Sequence, residues 1–83
     1  MPYRVVLIRK SQKDLKNADS RFRIRILASL AAIAANPFHA KKLWGEHKGE
    51  YSYRVWPYRI IYRIKERDRT VLITRIGHRQ GAY

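Results

Sequence analysis

Eighty-three residues supply one hydrophobic core, so the chain is read as a single domain, 1–83. Nineteen Lys and Arg against six Asp and Glu give a formal net charge of +13, which points to a polyanion or an acidic protein as partner. The lack of cysteine excludes disulfides and thiolate chemistry. The longest apolar run, residues 26–35, falls well short of the roughly 20 residues a membrane span needs, and a cytoplasmic protein with no membrane partner is expected.

Residues 3–8 (Tyr-Arg-Val-Val-Leu-Ile) predict a strand. Ser11 stands three residues before Asp14, a capping-box-like start for a short helix to about Asn17. Asp19 or Ser20 caps a second helix reaching about Ala35, with Phe22, Ile26, Leu30 and Ile33 on one apolar stripe. Asn36-Pro37 ends it, because the residue before proline is driven out of the α region. The connection 38–50 carries Lys41, Lys42 and Lys48; its length predicts either a function or a hidden helical turn, with Leu43 and Trp44 pinning it to the core.

Residues 51–83 are rich in β-branched and aromatic side chains and predict three strands. Alternation puts Tyr51, Tyr53 and Val55, then Tyr58, Ile60, Tyr62 and Ile64, on one face. Ser52, Arg54, Arg59 and Arg63 share the other. Like charges at facing strand positions are unfavourable, so a chain that keeps them is expected to bind an anion there. The order strand, helix, helix, strand, strand, strand predicts an α+β fold: two helices on one face of a four-stranded, mainly antiparallel sheet.

The chemistry is bounded by what is missing. The six carboxylates fall at expected helix starts, loops and turns, so no two-metal centre is expected. His39, His47 and His78 are widely separated and have no cysteine to complete a zinc site. No phosphate-binding glycine loop or serine elbow is present, and no metal or cofactor is expected. RNA can still be cut without metal, because its 2′-hydroxyl can attack the adjacent phosphate when that phosphate is held in line and its growing charge is stabilised. Arg54, Arg59 and Arg79 can supply paired donors, and Tyr53 and Tyr83 can stack on bases. For proton transfer His78 is the one conventional base, but parity along the last strand turns it away from Arg79, and Tyr83, whose ionisation a cationic site favours, is the acid/base candidate.

Several motifs occur in order: Asn-Pro at 36–37, Leu-x-Gly at 43–45, Gly-x-Tyr-x-x-Arg-Val at 49–55, Tyr-Arg-Ile-Ile-Tyr at 58–62, and Ile-Gly-His-Arg at 76–79 followed by Tyr83. In these the chain resembles the RelE/ParE superfamily of bacterial and archaeal toxins. The resemblance implies a toxin neutralised by an antitoxin that binds it through an acidic segment, and contact with operator DNA only through that antitoxin. RelE-like members cleave mRNA in the ribosomal A site without metal, leaving a 2′,3′-cyclic phosphate; ParE-like members instead inhibit DNA gyrase. Carried over by position, the two basic residues of the second sheet strand fall on Ser52 and Arg54, one of the pair being serine here. The Tyr-Arg arginine falls on Arg59, the arginine after the late glycine on Arg79, and the stacking tyrosine on Tyr83. The expected catalytic set is therefore Arg54, Arg59, Arg79 and Tyr83. Ser52, Tyr53, Arg63, Lys41, Lys42, Lys48 and His78 are expected to contact RNA. The alternative is a gyrase inhibitor that performs no chemistry.

Overall fold

In the computed structural model, which describes residues 2–78, two helices follow the first strand. The elements are β1 (Arg4–Leu7), α1 (Arg9–Asn17), α2 (Ser20–Ala35), β2 (Lys41–Lys42), β3 (Glu50–Val55), β4 (Tyr58–Lys65) and β5 (Thr70–His78), with 3-10 turns at Pro37–His39 and Gly45–His47. The strands form one sheet in the order β1-β5-β4-β3-β2. β1 runs parallel to β5, and the other neighbours are antiparallel. The sheet thus has five strands rather than the expected four, and it is mixed. The additional strand is two residues of lysine, too short to leave a periodic signal.

The helical hairpin covers one sheet face. Ile26, Leu30 and Ile33 of α2 are buried against Tyr51, Val55, Ile60, Tyr62, Val71, Ile73 and Ile76. Each such side chain contributes about 1.5–3 kcal/mol by leaving water. Tyr62 is fully buried, stacks on Tyr51 with ring centroids 5.6 Å apart, and donates its hydroxyl to the Pro37 carbonyl at 2.7 Å. The turn after α2 is thereby tied to the middle of the sheet.

Two local expectations are corrected. α1 starts at Arg9, so Ser11 is no cap; it is buried, with its hydroxyl 2.9 Å from the Ile8 carbonyl and 2.7 Å from the Ile73 carbonyl. Asp14 faces the sheet as well, accepting from the Ile76 amide at 3.0 Å and pairing with Lys10. Trp44 does not pin its loop, since it is 72% exposed, while Leu43 is half-buried and its amide donates to the Glu50 carbonyl at 2.9 Å.

The cap of α2 is as expected. Asp19 accepts from the Arg21 amide and also pairs with the Arg21 guanidinium, both at 2.9 Å. These bonds to Arg21 hold its carboxyl down at about 2. Tyr58 accepts from the Asp19 amide at 2.9 Å, joining the helical hairpin to β4.

Candidate active site

β3 and β4 form a hairpin through Trp56-Pro57, and its register puts Arg54 directly opposite Arg59. Their neighbours on that face are Ser52 and Ile61, also a facing pair. Both are almost covered, at 9% and 4% exposure, so short and apolar side chains make a floor from which the arginines rise. β2 adds Lys41 beside Ser52. The result is a cleft of about 420 Å³ lined by His39, Ala40, Lys41, Ser52, Tyr53, Arg54 and Arg59. It is cationic, with no carboxylate among these lining residues; Tyr53 contributes to the lining although its pairing with Ile60 sets it on the helix side.

Five of the expected site residues therefore meet: Arg54, Arg59, Ser52, Tyr53 and Lys41. Arg63 shares their sheet face but stands four residues beyond Arg59, roughly 13 Å along the strand, opposite Glu50 and Leu72. Lys42 and Lys48 lie elsewhere, in a hollow of about 300 Å³ with Phe38, Leu43, Trp44, Tyr51 and Ile64. Register explains Lys42, which faces Tyr51 and so belongs to the helix side. His78 is also on the helix side, opposite Tyr58 and edge-on to its ring at 5.4 Å. Arg79 and Tyr83 lie outside the described residues.

Two residues at or beside the cleft escaped the sequence argument. A β-bulge interrupts the β4–β5 register between Ile61 and Tyr62, so that Arg75 pairs with Ile61 and Ile73 with Tyr62, leaving Thr74 as the extra residue. Thr74 bonds the Ile61 carbonyl at 3.2 Å and Glu50 at 3.3 Å. Strict alternation from buried Ile73 would turn Arg75 toward the core; the bulge turns it to the cleft side, diagonal to Arg59. The signal in the sequence is the buried spacing Val71, Ile73, Ile76, which breaks period 2 at Thr74. The second residue is His39, the last of the 3-10 turn after α2.

The arrangement can bind a phosphodiester. Each guanidinium carries paired N–H donors matched to phosphate oxygens, and two of them stand here on facing strands.

Comparison with known proteins places this fold in a class. The solved toxin-antitoxin complex RelBE2 from Mycobacterium tuberculosis contains a chain similar to this one, with 29% identity, a TM-score of 0.88, and coverage of 94% of this chain and 92% of that one. A chain of the archaeal RelE-RelB complex from Pyrococcus horikoshii OT3 is 26% identical with a TM-score of 0.81, covering 99% of this chain and all of that one. The fold is thus that of toxins from type II toxin-antitoxin systems.

Toxin RelG of Mycobacterium tuberculosis is 31% identical over 85 residues, covering all of this chain and 98% of RelG. The model for the ParE toxin of type II toxin-antitoxin system, parDE, matches residues 5–83, and the chain belongs to this RelE/ParE family of toxins.

Proposed function

We propose that this toxin is a ribosome-dependent mRNA endonuclease that blocks translation. The observation that carries the reading is the facing pair Arg54 and Arg59 at one end of a cationic cleft with Tyr53 on its wall. The 2′-oxygen of the mRNA attacks the adjacent phosphorus, the bond from phosphorus to the 5′-oxygen breaks, and a 2′,3′-cyclic phosphate and a 5′-hydroxyl result. Arg54 and Arg59 grip the non-bridging oxygens as their charge grows. Arg79 is a further phosphate ligand in this account, and Tyr83 a stacking ring, on the family resemblance. Similarity to chains named RelG and RelE supports the reading.

The partner in the resting state is a cognate antitoxin. Several of the similar solved chains were determined in toxin-antitoxin complexes, and the +13 charge of this chain calls for an acidic segment on the binding protein. Cleavage on ribosomes programmed with a defined A-site codon tests the activity: wild-type protein cuts the mRNA and Arg59→Ala does so much more slowly. A wild type that leaves the mRNA whole overturns the proposal.

One observation favours a second reading. The matching family model is that of ParE toxins, so inhibition of DNA gyrase without chemistry is the alternative. Supercoiling assays distinguish it, since a gyrase inhibitor blocks supercoiling at toxin concentrations that leave ribosome-bound mRNA intact.

A further inference from the structure

RNA self-cleavage needs a group to take the proton of the attacking 2′-hydroxyl, and arginines are poor at this because they stay charged. Of the two sequence candidates, His78 is turned to the helix side and Tyr83 is outside the described residues. The three histidines differ in how they are engaged. His47 pairs with Glu50 at 3.2 Å, and His78 packs edge-on against Tyr58. His39 is exposed, lines the cleft with Arg54 and Arg59, and its imidazole makes no hydrogen bond or ion pair among the described residues.

Its backbone, by contrast, is held firmly. The Asn36 side chain accepts from the Phe38 amide at 3.2 Å, Tyr62 donates to the Pro37 carbonyl, and Phe38 packs edge-on against Tyr3 and Tyr51. An uncommitted imidazole on a fixed turn, lining a cationic cleft, is what a general base for phosphodiester cleavage requires.

We infer that His39 is the general base of this toxin, a role that rests on the endonuclease reading. Neutral His39 takes the proton from the 2′-hydroxyl as the 2′-oxygen bonds to phosphorus. The 5′-oxygen departs with the electron pair of the broken bond and takes a proton from water, and the imidazolium formed on His39 returns its proton to solvent. The charged and titratable groups that line the cleft with His39 are Lys41 from β2, Tyr53 and Arg54 from β3, and Arg59 from β4. All the charged ones are cationic.

Single-turnover cleavage on programmed ribosomes, measured across pH, tests the assignment. The wild-type rate rises with pH through the range in which a histidine loses its proton and then levels. In His39→Ala and His39→Gln the rate falls by about 10²–10⁴-fold, the rise with pH disappears, and added imidazole restores part of the His39→Ala activity. The apparent affinity for ribosomes is unchanged.

A wild-type rate and pH profile in His39→Ala overturns the inference, and so does full activity in His39→Gln, which would mean hydrogen bonding without proton transfer. If Arg59→Ala is still strongly impaired in those cases, the endonuclease reading stands alone. No cleavage by the wild type overturns both.

Discussion

Arg54 and Arg59 face each other across the β3–β4 hairpin, two like charges where an antiparallel ladder brings side chains closest. A pair of this kind costs stability and is offset when an anion sits between its members. Replacing Arg54 with threonine, a good strand former, is predicted to stabilise the free protein by about 0.2–1 kcal/mol while reducing cleavage. Thermal melts in low salt with and without an oligoribonucleotide check this: the ligand raises the wild-type midpoint by more than that of Arg54→Thr.

Arg75 reaches the cleft side of the sheet only because of the bulge at Thr74. Its contribution is expected to be to RNA affinity rather than to chemistry. For a non-cleavable single-stranded RNA, the slope of log K against log salt should fall by about 0.7 in Arg75→Ala, the contribution of one phosphate contact. Lys13→Ala, on α1 beside Arg9 and Lys16, should leave that slope as it is. Equal slopes for wild type and Arg75→Ala would show that Arg75 touches no phosphate.

Tyr62 links the core to the turn that carries His39. Tyr62→Phe removes the bond to the Pro37 carbonyl and should cost about 1 kcal/mol, read from denaturant titrations at pH 8. Burial first, and then proximity to Tyr51 and Tyr53, pushes the Tyr62 phenol up from its ordinary value of 10.0. A raised value means the contribution is fully present below pH 10 and is lost as pH climbs above it. Wild type should therefore lose stability between pH 10 and 11 faster than Tyr62→Phe does. Parallel losses would contradict the burial argument.

Asp19 works in the opposite direction. Its carboxyl is held at about 2 by Arg21, below the ordinary 3.8, so its contribution is present above pH 4 and is lost as pH falls toward 2. Asp19→Asn keeps a capping oxygen and removes the titration. Acid unfolding followed by circular dichroism should begin at higher pH in wild type than a charge-independent cap would allow, and the Asn variant should show a flatter pH dependence over that window.

Much of this molecule is legible in its residues because period 2 holds in β3 and β4. Tyr51, Tyr53 and Val55 do face the helices with Tyr58, Ile60 and Tyr62, and that alone brings Arg54 and Arg59 together. Period 2 fails in β5, where one extra residue reverses every side chain beyond Thr74, turning Arg75 to the cleft side and sending His78 to the helix side. Ser11 resembled a cap because serine before an acidic residue suits a helix start, yet a helix can begin earlier when the buried hydroxyl is needed by the Ile73 carbonyl. Lys42 is separated from Lys41 not by charge but by the register of a two-residue strand, and Lys48 by its place after the 3-10 turn at Gly45–His47. His39 reads in the sequence only as an isolated histidine, because its neighbours in the cleft come from strands beyond it in the chain.

The central claim is that facing arginines make this toxin a nuclease. The direct measurement is the end group on mRNA recovered from programmed ribosomes after exposure to wild-type, Arg54→Ala or Arg59→Ala protein. The account predicts a 2′,3′-cyclic phosphate at an A-site cut with wild type, and a rate lower by about 10²–10³-fold when Arg59 is removed. Intact mRNA with wild type, or undiminished cutting by Arg59→Ala, would contradict it.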